Sequence, residues 1–169
     1  MEAIVYTSNT GTTKEYAKLL SDKLSLPYYS LDEIKNKVKP GGKIIYLGWI
    51  MASGVKGYKK AIKDYDVCAV GAVGMGATGT QVKEVRTKNK IPSAIPVFTL
   101  QGGFDVKKLH GIYKLMMTIM VKTAGKGLAN KQDRTQEEDQ MLEMMLHGGK
   151  YVDEKNLKAI LDWYGKRGE

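Results

Sequence analysis

The stretch YTSNTGTTKEYA, residues 6–17, crowds Thr7, Ser8, Asn9, Thr10, Thr12 and Thr13 around Gly11, where the strand-like EAIVYT gives way to a helical pattern. Such a turn concentrates hydroxyls and backbone N–H groups, and the positive end of the following helix dipole points into it. That chemistry suits an anion, and a phosphate dianion best. The hydroxyls of Ser8, Thr10 and Thr13 and the amides of residues 9–13 can supply most of its hydrogen bonds, each strengthened by the acceptor's charge. Gly11 lets the backbone turn sharply, and the loop contains no arginine. The simpler alternative is that these residues only cap a helix.

Two further loops carry unusual residues: G48-W-I-M-A-S-G54 and G71-A-V-G-M-G-A-T-G79. Their glycines let backbone N–H and C=O groups reach the edge of a flat ligand, while Trp49 and Met75 offer broad, polarizable faces to it. The alternative is a core tryptophan at a strand end and a methionine in a turn. G74-M-G-A-T-G79 has the G-x-G-x-x-G spacing of a dinucleotide fingerprint, but it follows the fourth strand pattern instead of the first. No acid ends a strand about 20 residues further on, Asp105 lying past another strand, so that reading is disfavoured. The early G11-T-T-K14 lacks the spacing of a nucleotide triphosphatase loop, and nothing there would place magnesium.

These loops need a scaffold. Strand patterns fall at EAIVYT (2–7), LPYYSL (26–31), KIIYLGW (43–49), DVCAVGA (66–72) and AIPVFTL (94–100). Between them lie helix candidates at 12–24, 54–63 and 80–88, with a single turn at LDEIK, and NLKAILDWYG closes the chain as a helix. This alternation predicts one α/β domain with a parallel sheet covered on both faces. Ligands in such sheets sit beyond the carboxyl ends of the strands, so the three loops should converge. A chain of 169 residues, 43% hydrophobic, can bury a substantial core. Cys68, in DVCAVGAV, is predicted to be a small buried side chain and not a disulfide partner or metal ligand. The first residues enter a strand pattern with no secretory signal, and no apolar run approaches the roughly 18 residues of a spanning helix. A cytoplasmic location follows as the expectation. The formal charge of +9 favours anionic partners; no nucleic-acid partner is expected.

Ser8, Thr10, Gly11 and Thr13 fit the [ST]-x-T-G-x-T phosphate loop of the flavodoxin family, which the stretch resembles, with Asn9 and Thr12 in its two free slots. The loop after the fourth strand resembles the family's G-x-x-G-x-G arrangement, Met75 standing where an aromatic often stacks on the flavin. The resemblance covers residues 1–100 and the last helix. It implies a doubly wound five-stranded parallel sheet of order 2-1-3-4-5 that binds FMN noncovalently through Ser8, Asn9, Thr10, Gly11, Thr12 and Thr13. Ring contacts would come from Trp49, Ile50, Met51, Ala52, Gly74, Met75 and Gly76. It further implies a redox protein in which the flavin, and no catalytic side chain, takes up hydride or electrons. The family surrounds its ring with acids, whereas this chain carries Lys56, Lys59 and Lys60 near the third-strand loop; that argues against a very low potential.

Residues 102–150 exceed a minimal domain of this kind and are expected to form a helical insertion between the fifth strand and the last helix. Residues 109–124 read as a broadly apolar helix with one polar stripe, His110, Lys114, Thr118 and Lys122, and with Lys107, Lys108, Lys126 and Lys131 nearby. Apolar bulk beside lysine predicts peripheral membrane contact through 108–127, or a hydrophobic anionic ligand. T135-Q-E-E138 is a capping-box signature opening another helix. Met141, Met144, Met145 and Met116 form either an adaptable contact surface, or an ordinary core, or a homodimer contact. His110 and His147 read as surface or helix-end residues. Residues 102–127 also resemble the flavodoxin-like, menaquinone-dependent protoporphyrinogen oxidases, through Tyr113, Lys114, Met116, Met117, Met120, Lys122 and Gly125. Those enzymes have a D-G-Q-T-like phosphate loop, against T10-G-T-T13 here. This likeness implies porphyrinogen oxidation with electrons passed to a quinone at a membrane surface. The other expectations are an electron carrier docking on an acidic redox partner protein, and a non-catalytic FMN-binding scaffold.

Overall fold

The computed structural model describes residues 1–104 and 111–167. In chain order it contains β1 (Ala3–Thr7), α1 (Thr12–Leu24), β2 (Tyr28–Ser30), a 3-10 turn at Ile34–Asn36, β3 (Lys43–Met51), β4 (Gly54–Val55) and α2 (Tyr58–Asp64). There follow β5 (Asp66–Gly74), α3 (Val82–Asn89), β6 (Val97–Gln101), β7 (Gly103–Phe104), α4 (Gly111–Ala129), α5 (Gln136–His147), β8 (Gly149–Lys150), a 3-10 turn at Glu154–Leu157 and α6 (Lys158–Gly165). The protein is α/β, with a mostly parallel sheet. The strands lie in the order β2-β1-β3-β5-β6, and every neighbouring pair along that path is parallel.

Each central strand is apolar on both sides because both faces are covered. Ile4, Ile45, Leu47 and Val73 pack with Tyr16, Ala17 and Leu20 of α1 and Ile160 of α6. Val5, Ile44, Tyr46 and Val70 face the other way, onto Tyr58 and Ala61 of α2 and Val85 of α3. Alternate residues of one strand thus enter opposite cores, and all parallel strands end on the same edge, where the loops after β1, β3 and β5 meet.

Four sequence expectations change. The third strand runs on to Met51, so Trp49, Ile50 and Met51 are strand residues and not loop residues. The helix expected over 54–63 begins only at Tyr58, because Gly54 and Val55 pair back onto Met51 and Ile50 as a hairpin. The fifth strand starts at Val97 instead of residue 94: Pro96 has no N–H for a ladder, and only its carbonyl is used, by Val70 N at 3.0 Å. Cys68 is partly exposed near the start of β5, a free thiol whose pKa is raised chiefly by the burial it does have.

The ribbon β7–β8 pairs Phe104 with Gly149 and Gly103 with Lys150, so the chain leaves and returns at one place beside the end of β6. α4 and α5 pack together. The capping box expected at Thr135 forms: Thr135 Oγ1 accepts from Glu138 N at 3.2 Å, and Glu138 Oε2 accepts from Thr135 N at 2.9 Å. Met144 and Met145 are buried, whereas Leu115, Ile119 and Leu146 are exposed. His147 lies in the last turn of α5, exposed, as a helix-end residue. Asp105, Lys107, Lys108 and His110 lie outside the described residues, as do the side chains of Tyr113, Lys114, Met116, Met117 and Met120. Among the described residues no helix is long and apolar enough to cross a membrane.

Candidate functional site

The turn after β1 is built around a left-handed Gly11, at φ +95°. An L side chain is costly there and glycine is not. Gly11 is the N-cap of α1, and no side-chain hydrogen bond caps the helix. The hydroxyls engage each other and the turn instead: Ser8 Oγ accepts from Gly11 N at 3.2 Å, and Thr10 Oγ1 lies 3.4 Å from Thr12 Oγ1. The capping alternative is met only by Ser8, which serves the N–H of the N-cap residue itself. Among the described residues no acceptor is bonded to the first-turn amides of Thr12, Thr13 and Lys14, and these are the groups a helix offers to an anion. Asn9 Nδ2 is buried without a hydrogen-bond partner among the described residues. A buried amide left unpaired costs about 1–3 kcal/mol, which a ligand acceptor would recover.

The second wall is the hairpin formed by the end of β3 and β4. Its two central residues, Ala52 and Ser53, both have positive φ, +47° and +60°. A two-residue hairpin demands that geometry, yet neither residue is the glycine or asparagine that adopts it cheaply. Asn89, at the end of α3, holds the turn in place. Its Oδ1 accepts from Val55 N at 2.8 Å, and its Nδ2 donates to Ser53 O at 2.8 Å and Val85 O at 2.7 Å, so the buried amide is fully used. Asn89→Ala removes both hairpin anchors and destabilises the turn by about 2 kcal/mol. Hydrogen exchange at the Val55 amide is expected to accelerate roughly 30-fold, by the conversion of that energy into an opening equilibrium; an unchanged rate would mean that the strand pairing alone holds the turn.

Tyr46 fixes the base of the same hairpin. Its hydroxyl lies 2.6 Å from Lys56 O and 2.7 Å from Thr7 Oγ1. A carbonyl only accepts, so Tyr46 donates to Lys56 and accepts from Thr7, tying the hairpin's return to the exit of β1. Burial raises the Tyr46 pKa far above the ordinary 10.0. A folded-state pKa above the unfolded one means stability fully present below about pH 10 and lost as pH rises beyond it. Burial also raises the pKa of Tyr16, so wild-type stability is expected to fall in urea titrations above pH 10. In Tyr46→Phe that alkaline fall is smaller, while stability at pH 7 drops by about 1–3 kcal/mol because the buried bonds of the Tyr46 hydroxyl to Lys56 O and Thr7 Oγ1 are lost.

The third wall follows β5. Gly102 N donates to Gly74 O at 2.7 Å, Gln101 N to Thr78 Oγ1 at 2.9 Å and Thr99 Oγ1 to Thr80 O at 2.6 Å, which pins the Gly74–Gln81 loop against β6. Asn9, Thr10, Thr12 and Thr13 from the first turn, Trp49, Ile50, Met51 and Ala52 from the hairpin and Gly74, Met75 and Gly76 from this loop line one cavity of about 290 Å³. The remaining expected residues, Ser8 and Gly11, face a neighbouring cavity of about 320 Å³ across the turn, and Asn9 lines both.

The chain matches no family model, no curated protein and no solved structure. The site's meaning therefore rests on its chemistry.

Sequence reasoning missed several cavity residues: Ser53, Val73, Gln81, Gly103 and Met141. Val73 and Gly103 belong to a strand end and a ribbon whose place beside the turn exists only in the fold. Ser53 and Gln81 both adopt positive φ without being glycine or asparagine, so their residue types did not mark them. Met141, expected in a contact surface, a core or a homodimer contact, is placed by α5 in the wall of the cavity. Lys56 Nζ stands 5.7 Å from the Trp49 ring centroid, so positive charge does border the ring-sized wall.

Proposed function

We propose that this chain is a flavodoxin-like redox protein that holds FMN noncovalently and passes electrons or hydride through it. One observation carries the reading: a single cavity joins an uncapped helix start and its hydroxyls to the Trp49–Ser53 hairpin and the Gly74–Gly76 loop. That pairs an anion cradle with a flat apolar slot, the two ends of a flavin mononucleotide. The residues present fit the group, because the unpaired Asn9 Nδ2 and the free first-turn amides ask for a multiply accepting anion such as a phosphate. The strand order β2-β1-β3-β5-β6, with β4 outside that path, is the 2-1-3-4-5 order of such domains and supports the same reading.

In this reading Thr10, Thr12 and Thr13, with the amides of Thr12 to Lys14, hold the phosphate. Trp49, Met51 and Met75 bracket the ring, and Ile50 and Val73 keep water from it. FMN supplies the electron chemistry when bound, and the chain contributes position, dryness and charge. Lys56 beside Trp49 raises the potential relative to a ring edged by acids.

Met141 favours an enzyme over a bare carrier. It sits in the wall of the ring cavity and also of an adjoining cavity of about 290 Å³ beneath α5, lined by Met75, Gln81, Gln101 and Gln140. A carrier needs an open ring edge for its partner, whereas here α5 adds Met141 to the cavity wall, which would narrow access to a small substrate. Porphyrinogen oxidation with a quinone acceptor is the specific candidate that the insertion suggests, with membrane contact through 108–127.

Purified protein is expected to be yellow or to take up FMN stoichiometrically. A colourless chain that ignores FMN overturns the proposal. Bleaching of the bound flavin by a porphyrinogen, and its recovery with a quinone, would favour the oxidase over the carrier; rapid exchange with a reductase and no such bleaching would favour the carrier.

A further inference from the structure

The 320 Å³ cavity on the far side of the turn after β1 is separate from the cavity assigned above to the flavin ring, with Asn9 common to both. Its walls are Tyr6, Ser8, Asn9 and Gly11 from the turn, Lys14 from α1, and Ser30 and Asp32 from the end of β2. Parallel pairing sets Tyr6 opposite Ser30, and Leu31 N donates to Tyr6 O at 2.9 Å, which holds the β2 end beside the exit of β1. Asp32 stands about 20 residues past Gly11, in the turn two residues beyond the second strand of a βαβ unit. In open α/β sheets an acid at that place accepts from ribose hydroxyls, while the turn after the first strand holds phosphate.

The chemistry of the wall agrees with a sugar phosphate. Lys14 carries a cation at the mouth and forms no ion pair among the described residues. Lys60 engages Asp32 through Oδ1 at 2.7 Å, but a carboxylate offers about four acceptor sites, and this one is largely exposed. Glu33 is already committed, its Oε2 accepting from Ser30 Oγ at 2.6 Å. A cation for phosphate and a carboxylate for hydroxyls thus stand on one cavity, and Asn9, with its unpaired amide, connects it to the other.

We propose that this second cavity is a ribose-phosphate subsite that takes the adenosine-phosphate half of a flavin dinucleotide, FAD, with the flavin half in the Trp49–Met75 cavity and the phosphates bridging the turn. It rests on the flavin reading above. A free adenine nucleotide bound beside FMN would use the same contacts.

Calorimetric titration of flavin-stripped protein with FMN, FAD and ADP separates these cases. FAD is expected to bind at least about tenfold more tightly than FMN, an increment of two or so hydrogen bonds. Asp32→Ala, at an exposed position where folding is safe, is expected to bring FAD to the affinity of FMN and leave FMN unchanged. Equal FAD and FMN affinity in the wild type with no Asp32-dependent binding of ADP, or an equal loss of both flavins in the variant, overturns the subsite. A ternary complex in which ADP binds alongside FMN, sensitive to Asp32, keeps the subsite's chemistry but overturns its assignment to a dinucleotide. Binding of ADP that depends on Asp32, without binding of either flavin, upholds the nucleotide subsite and overturns the flavin reading instead.

Discussion

Converting Thr10 and Thr13 together to valine is expected to weaken FMN binding by about 10²–10⁴-fold, since each hydrogen bond to a charged acceptor is worth roughly 1.5–3 kcal/mol. Thr13 is buried and valine has nearly its shape, so the fold should tolerate the change. Riboflavin, which lacks the phosphate, is the internal control: its affinity should move less than about threefold, because the ring contacts of Trp49 and Met75 are untouched. Fluorescence titration of both ligands makes the comparison. Equal loss for riboflavin and FMN would show a damaged fold. Unchanged FMN affinity would remove the anion cradle from the account, and with it the argument built on the uncapped helix.

Gly57→Ala is the other large effect, this time on stability. Gly57 has φ +82°, and a methyl there would overlap the Tyr46 hydroxyl and Thr7 Oγ1. The backbone conformation alone costs an L residue about 1–2 kcal/mol, and overpacking a well-packed core adds about 1–3 kcal/mol. The neighbour cannot yield easily, since Tyr46 is fully buried and bonded to Lys56 O. Equilibrium urea unfolding should therefore show a loss of about 2–5 kcal/mol. A loss under about 1 kcal/mol would mean that the Tyr46–Lys56 bond is soft and that the hairpin base is not rigid. FMN affinity is expected to fall as well, because the base of the Trp49 wall shifts with Lys56.

Much of the scaffold is legible residue by residue. The helix at 12–24 has its predicted limits because a left-handed glycine ends the turn before it and the apolar positions Tyr16, Ala17 and Leu20 recur on one face. The five parallel strands fall where β-branched runs occur, since each is buried on both sides. The capping box at Thr135 forms because its two hydrogen bonds lie within four consecutive residues. The glycine and hydroxyl cluster at 8–13 marks the left-handed turn into α1 for the same reason, its groups being local in the chain.

The remainder depended on distant neighbours. GVKGY at 54–58 carries no local mark of a hairpin. Its first two residues are strand only because Ile50 and Met51 extend beyond the parallel ladder, and because Asn89, from another helix, binds Ser53 and Val55. Met141 became a cavity wall, and not merely part of a helix contact, because the β7–β8 ribbon returns the chain beside β6. Asp32 acquires its relation to Lys14 and Gly11 when β2 pairs with β1. By itself the sequence determined the strand-and-helix alternation, the limits of α1 and the capping box at Thr135, because hydrophobic period, caps and turns act over a few residues. Only the tertiary structure decided which side chains share a cavity, because that follows from strand order and register, which long-range packing selects.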